Sequence, residues 1–298
     1  MNLKSIINLL RVRQWTKNAF VLFPLIFSGK FCAANAAEAY WLTAFALAAF
    51  CCWSSAVYIF NDIIDVKADR IHPRKQKRPI AAGEIGIPAA GCIAVALIAL
   101  PALIFSTGLN LPAEFWGIGA AYLINNLLYC VLFRSVPILD IFSLALGIVL
   151  RILSGCAILN VTPTFWIIAC GFALALFMGL GKRRMELDRI GEEKKLYRPA
   201  LAFYSAKRIN FLLNALAVMT IGAYAGYTLA PSTAELHNTV YLAGTIPFVI
   251  FGVIRYILLT RSGKYDGPDE AIAKDPISLC NLLLWVIAVI SILVLSNR

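Results

Sequence analysis

The residues able to do chemistry in this chain are acids and bases gathered in a few short stretches. The densest is Asn61-Asp62-Ile63-Ile64-Asp65-Val66-Lys67-Ala68-Asp69. On a helix Asn61 and Asp65 are one turn apart, as are Asp65 and Asp69, and Asp62 precedes Asp65 by three residues, so all four can share one face. Carboxylates crowded on one face repel each other unless a cation lies between them. An all-oxygen ligand set with few protein carboxylates, completed by substrate phosphates, suits Mg2+. The spacing predicts a divalent-metal site from Asn61, Asp62, Asp65 and Asp69, with Tyr58 one turn upstream of Asn61. The plainer alternative is a helix end whose charges are solvated.

Cations follow at once in Arg70-Ile71-His72-Pro73-Arg74-Lys75-Gln76-Lys77-Arg78-Pro79. A basic loop can serve only to orient a chain in a membrane, but cations beside a metal-binding face also suit a polyphosphate. Lys77 and Arg78, just before the next helix, are the candidates, whereas His72 has no ligand-type neighbour and reads as structural. In Gly181-Lys182-Arg183-Arg184-Met185-Glu186, Lys182 and Glu186 stand four apart, as a helix-end ion pair or as part of a site. Arg134 lies in a short connection, and Arg151 falls inside the apolar run Ile138–Leu159. An ionisable group there is costly and marks a polar or functional cavity. Asp140 stands close to three turns before Arg151 and looks to the same side. In Arg13-Gln14-Trp15-Thr16-Lys17-Asn18, Trp15 reads as an interface anchor, and Lys17 as a flank charge or a phosphate ligand. The sequence has no P-loop, nucleophile elbow, HExxH or Cys/His cluster. That inventory points away from covalent catalysis by the protein and toward metal, cations and positioning.

The elements that hold these residues follow from composition. Of 298 residues 60% are hydrophobic and 14% charged, against roughly 25% charged in soluble domains; mean hydropathy is +0.78. Such a chain cannot cover a water-facing surface, and lipid is its natural solvent. Apolar runs near 18–36, 41–61, 86–106, 112–131, 137–159, 163–181, 208–230, 239–260 and 276–296 predict nine transmembrane helices, an all-α polytopic membrane protein. Leu3, Ile6, Ile7 and Leu10 recur at helical spacing, which predicts a short amphipathic helix on the membrane surface. A cleavable signal peptide is not apparent. The eight cysteines form no CxxC pair and read as reduced packing residues.

Charge sets the orientation. The N-terminal tail and the second-to-third, fourth-to-fifth, sixth-to-seventh and eighth-to-ninth connections, with the residues at their edges, hold 23 of the 27 Lys and Arg residues; the others are Lys30, Arg151, Arg255 and Arg298. By the positive-inside rule these segments face the cytoplasm and the C-terminus lies outside, as expected in a cell (inner or plasma) membrane. The net charge of +11 is spread between apolar runs, so it provides no continuous nucleic-acid-binding face.

The motif Asn61-Asp62-x-x-Asp65-x-x-x-Asp69 at the end of a second span resembles the first aspartate-rich motif of the UbiA superfamily of intramembrane prenyltransferases. The resemblance implies one transmembrane domain over residues 1–298, with a central cavity and cytoplasmic cap segments near 62–85 and 182–207. Where the commonest members carry a second aspartate-rich motif, this chain reads Lys182-Arg183-Arg184-Met185-Glu186. The stretches Arg13 to Asn18, Asn61 to Pro73, Arg78 to Gly83, Val136 to Asp140, Gly181 to Arg183, Gly267 to Glu270 and Asp275-Pro276 are similar to the polyprenyl-phosphate phosphoribosyltransferase branch. That branch implies transfer of phosphoribosyl from phosphoribosyl diphosphate to a polyprenyl phosphate, with pyrophosphate leaving. Asn61, Asp65 and Asp62 or Asp69 would hold Mg2+; Lys17, Lys77, Arg78 and Lys182 would neutralise phosphates. Tyr58 and Glu186 would meet ribose hydroxyls or the metal shell, and Arg134 and Arg151 the lipid phosphate. A homo-oligomer is compatible with this reading. Two rivals stand beside it: a prenyltransferase acting on an aromatic acceptor, disfavoured by the missing second acidic motif, and a transporter, disfavoured by the absence of an internal repeat.

Overall fold

The computed structural model describes residues 2–33, 35–105, 111–190, 205–265 and 267–296, and their regular structure is entirely helical. The α-helices are α1 (Leu3–Leu10), α2 (Phe23–Phe27), α3 (Ala36–Ile64), α4 (Val66–Ile71), α5 (Ile87–Phe105), α6 (Ala113–Val131), α7 (Leu139–Ile158), α8 (Phe165–Ile190), α9 (Ala206–Leu229), α10 (Pro231–His237), α11 (Ile246–Arg261), α12 (Pro268–Lys274) and α13 (Pro276–Ser296). Among the described residues seven segments are long and apolar enough to cross a bilayer: Ala36–Ile64, Ile87–Ile104, Leu139–Ile158, Phe165–Leu187, Ala206–Leu229, Tyr241–Arg261 and Pro276–Ser296. Large apolar side chains such as Trp41, Phe165 and Phe211 are exposed, as suits surfaces that meet lipid. The chain is a multi-pass membrane protein.

The two remaining apolar runs are realised differently. The run at 112–131 is the 19-residue α6, where Glu114, Asn125 and Asn126 dilute the hydropathy. The run at 18–36 is not one α-helix: a 3-10 helix over Val12–Leu22 leads into the five-residue α2, and a further 3-10 turn covers Lys30–Cys32. Pro24 at the start of α2 has no N–H to give, and Gly29 at φ 72° turns the chain out of the helix.

The helices form two compact units. The first comprises Met1–Leu25, Ala37–Val131 and Leu150–Thr162. Its interior holds Phe50, Trp53, Phe115 and Tyr122, with neighbouring ring centroids of Phe50 and Tyr122 5.0 Å apart. A Cβ on Gly119 would lie 2.4 Å from the Trp53 ring, and one on Gly155 would lie 2.3 Å from the Val21 carbonyl oxygen. Only glycine lets the end of α7 approach the N-terminal segment so closely. Leu9 of α1 packs with Ile59, Ile80, Ile85 and Ala90. Ser55 of α3 accepts from the Trp15 indole at 3.0 Å and donates to the Leu10 carbonyl at 2.8 Å, pinning the N-terminal segment to α3. Trp15, read from sequence as an interface anchor, thus has a partner within the protein.

The second unit comprises Ile26–Ala36, Leu132–Val149 and Pro163–Arg298. Its core gathers Phe177, Leu180, Met185, Ile209, Leu213 and Tyr256. The Tyr256 hydroxyl donates to the Met178 carbonyl at 3.1 Å. At α13, Asp275 receives both an Nε and an Nη2 bond from Arg255 and accepts from the Ser278 amide at 2.9 Å. Those bonds from Arg255, the stronger influence, hold its carboxyl well below the usual carboxylate range. All eight cysteines are free.

Candidate active site

The acid motif straddles a helix break. Helix α3 ends at Ile64, Asp65 adopts φ −85° and ψ 2°, and α4 starts at Val66. The Asp65 side chain makes no capping bond to α4; its Oδ2 accepts from Asn61 Nδ2 at 3.3 Å. Asp62 and Asp69, two turns apart, turn to a different set of partners. Each is buried, and Arg78 Nη1 lies 3.0 Å from Asp62 Oδ1 and 2.5 Å from Asp69 Oδ2. Arg11 donates to Asp62, and Lys75 stands 3.9 Å from Asp69. The four acid-motif residues thus divide into two pairs, since neighbours along a helix point about 100° apart.

This division bears on the expected metal. Among the described residues no three His, Cys, Asp or Glu side chains lie together as a metal cage. Mg2+ is commonly held by one or two carboxylates with substrate phosphates and water completing its shell. The half-buried Asn61 amide oxygen and Asp65 carboxylate fit such a substrate-bridged ion. They do not make a site that would hold a metal by itself.

The loop after α4 is set by His72, whose Nδ1 accepts from the amides of Arg74 and Lys75 at 3.1 and 3.3 Å. That bond pattern requires a neutral ring with its proton on Nε2. Partial burial, and then the Lys75 ammonium, push its pKa below the ordinary imidazole value. His72 is structural, as its sequence context predicts, and the structure it organises carries Lys75 and Arg78. Lys77 is exposed in the 3-10 turn Lys75–Lys77.

The other candidates are placed as follows. The Tyr58 ring lies under the Arg11 guanidinium, 4.9 Å from it, a cation–π contact. Lys17, in the 3-10 segment, donates to Gln14 Oε1 at 2.8 Å. Arg151 is buried; its Nε donates to Asn18 Oδ1 at 2.8 Å and its Nη2 to the Tyr122 hydroxyl at 2.9 Å. Asn18 in turn donates to Ser54 Oγ at 3.2 Å, so Arg151 closes a polar network within the first unit. Arg134 is half-buried in the turn Phe133–Ser135.

In the second unit Lys182 is half-buried, and Glu186 accepts from Arg183, its neighbour one turn back. Arg183 Nε also lies 2.8 Å from Asp140 Oδ2, with both side chains fully enclosed. Their atoms do not align as hydrogen bonds, so this contact is chiefly ionic. Ile138, two residues before Asp140, takes φ 70°, a strained conformation for a β-branched side chain. A Cβ on Gly181 would lie 2.3 Å from the Tyr256 hydroxyl, which explains the glycine in the Gly181-Lys182-Arg183 stretch. Residues 191–204 of the expected 182–207 cap, and the Asp269 side chain, lie outside the described residues.

Sequence reasoning missed Arg11, Lys75 and Arg183 as members of these clusters. Arg11 had one signal: it is an arginine between the amphipathic segment and the first apolar run. Nothing local in the sequence told Lys75 from the cations around it.

Residues 21–287 match the UbiA prenyltransferase family, a match that runs through both units. The chain is 31% identical over 296 residues to decaprenyl-phosphate phosphoribosyltransferase of Corynebacterium glutamicum, covering 96% of this chain and 86% of that protein. It is 29% identical over 290 residues to the protein of the same name in Mycolicibacterium smegmatis, covering 95% and 90%. Among solved structures, a UbiA homolog from Archaeoglobus fulgidus bound to GPP and Mg2+ superimposes with a TM-score of 0.72 at 19% identity, covering 98% of this chain and 99% of that one. A digeranylgeranylglyceryl phosphate synthase structure gives a TM-score of 0.61 at 15% identity, covering 99% and 96%. With this extent of sequence similarity and this all-helical membrane fold, the chain belongs to the UbiA prenyltransferase family and is a transferase.

Proposed function

We propose that this protein transfers the 5-phosphoribosyl group of phosphoribosyl diphosphate to a polyprenyl phosphate and releases pyrophosphate. The observation that carries this reading is the pairing, at one helix break, of Asn61 and Asp65 with two buried aspartates held by half-buried arginine. Such a set suits a diphosphate leaving group. Near full-length similarity to proteins named for this transfer supports it, as does the Lys-Arg-Arg stretch at 182–184, where a second acidic motif would serve a prenyl diphosphate.

In this reading Asn61 and Asp65 hold Mg2+, which when bound supplies positive charge to the leaving diphosphate. A phosphate monoester is already anionic near neutral pH, so no side chain needs to act as a base. Arg78, the cations Lys75 and Lys77 of the same loop, and Lys17 of the N-terminal segment stabilise charge on the sugar phosphates and hold the reactants in line. Arg134 meets the lipid phosphate, while Arg151, sealed under Asn18 and Tyr122, raises the local potential without touching the ligand. The roles of Lys182 and Glu186 toward sugar phosphate and ribose rest on similarity alone. The basic segments face the cytoplasm of a cell membrane, and the C-terminus lies outside.

Detergent-purified protein, labelled phosphoribosyl diphosphate, a polyprenyl phosphate and mass spectrometry of the lipid test the reaction. Phosphoribosylated lipid and stoichiometric pyrophosphate are expected, with Asp65→Asn slowing turnover by about a hundredfold or more while remaining folded. Prenyl transfer from a prenyl diphosphate to an aromatic acceptor, without the lipid product, would establish the rival reaction.

A further inference from the structure

Burial ranks the members of the arginine–aspartate cluster in an informative order. The side chains of Asp62 and Asp69 are each 2% exposed, while those of Arg11 and Arg78 are 22% and 24% exposed. The carboxylates lie inside and the guanidinium groups outside, so a ligand arriving at this surface meets arginine first. One Arg78 nitrogen bridges the two acids, at 3.0 Å from Asp62 and 2.5 Å from Asp69. Arg11 grips Asp62 while its guanidinium is stacked on Tyr58, 4.9 Å from the ring centre. With Lys75 at 3.9 Å from Asp69, three cations surround two anions. A metal ion reaching Asp62 or Asp69 would have to compete with guanidinium groups these buried carboxylates already hold, and would crowd a further cation beside three.

We propose that Asp62 and Asp69 are positioning residues and not metal ligands: they splint Arg11 and Arg78 into a receptor for the phosphates of a diphosphate-bearing substrate, leaving the metal to Asn61 and Asp65. The proposal rests on the reading of this site as one that binds a diphosphate. A guanidinium carries five N–H donors in one plane. Arg78 spends one nitrogen on the two acids and Arg11 is fixed between Asp62 and Tyr58, so the donors on their outer edges are pre-aimed. Phosphate is the anion best matched to such a planar fork. Lysine at either place would carry the charge without the plane.

The test uses the full chain in detergent with Mn2+ as the metal and inorganic diphosphate as the ligand. Mn2+ binding is read by electron paramagnetic resonance with diphosphate saturating for each variant, diphosphate affinity by calorimetry, and KM and kcat with phosphoribosyl diphosphate. Asp62→Asn and Asp69→Asn are expected to keep Mn2+ affinity within about twofold, to weaken diphosphate binding and raise donor KM by about tenfold, and to change kcat less. Such a KM effect is about 1.4 kcal/mol. Asp65→Asn is expected to lose Mn2+ binding. An Asp62→Asn or Asp69→Asn protein that loses Mn2+ as Asp65→Asn does, or that binds diphosphate as the wild type does, overturns the proposal. Should the Asp62 variant not be recovered folded, Arg11→Lys reads the same contact: weaker diphosphate binding at unchanged Mn2+ affinity supports the receptor, and unchanged diphosphate binding overturns it. If the variants show this pattern with diphosphate while the wild type turns over no phosphoribosyl diphosphate, the receptor stands and the proposed reaction falls.

Discussion

Removing Asp140 from beneath Arg183 is the most direct probe of the second unit. Both side chains are fully enclosed, with Nε and Oδ2 at 2.8 Å. Breaking a buried ion pair from one side costs about 3–5 kcal/mol, because the remaining charge is left in a poor solvent. Here Arg183 keeps Glu186, itself 20% exposed, and the Asp140 contact lacks hydrogen-bond alignment. Both features place Asp140→Ala at the lower end, about 3 kcal/mol. For a chain of this size that corresponds to a fall in Tm of roughly 6–12 °C, measurable by tryptophan fluorescence in detergent. The double variant Asp140→Leu/Arg183→Met removes both charges and fills the space with apolar atoms, so its Tm should return to near the wild-type value. Glu186 would then lose the arginine that holds it, and transfer activity should stay low even with stability restored. A Tm within about 1 °C of wild type for Asp140→Ala, or a double variant no more stable than the single one, would refute the reasoning.

Two further outcomes follow from the geometry. His72 is held neutral, with its pKa below the unfolded value; its contribution is fully present above about pH 6.5 and fades as pH falls and the ring charges. Donor KM should therefore rise on acidification more steeply in the wild type than in His72→Asn, which offers a similar acceptor without titrating; parallel pH profiles would remove His72 from the account. Gly181→Ala should cost about 1–3 kcal/mol through overpacking against Tyr256, read as a lower Tm, and should cost less when introduced into a Tyr256→Ala chain than into the wild type; a lone Gly181→Ala as stable as wild type would contradict the close approach.

Much of the architecture was legible from the sequence because membrane insertion is governed by local composition. A run of apolar residues long enough to span the hydrocarbon must satisfy its backbone as a helix wherever it lies in the chain. Seven of the nine predicted runs became long apolar spans among the described residues. The run at 18–36 departed because Pro24 and Gly29 are backbone effects that a hydropathy sum does not register. The acid motif was equally visible, yet its shared face was an ideal-helix projection, and the chain breaks that helix at Asp65.

The sequence by itself determined that this protein lives in lipid, where its helices run, and that Asn61, Asp62, Asp65 and Asp69 concentrate near one helix end. Each of these depends on residues close together in the chain. Only the tertiary structure decided the partners: Arg11 and Arg78 for Asp62, Asn18 for Arg151, and Asp140 for Arg183. Electrostatic attraction acts through space and carries no sequence period, so the cation that meets a given acid is chosen by how helices pack. That packing separated four similar polar residues into a pair hydrogen-bonded to each other, Asn61 and Asp65, and a pair bound to arginine.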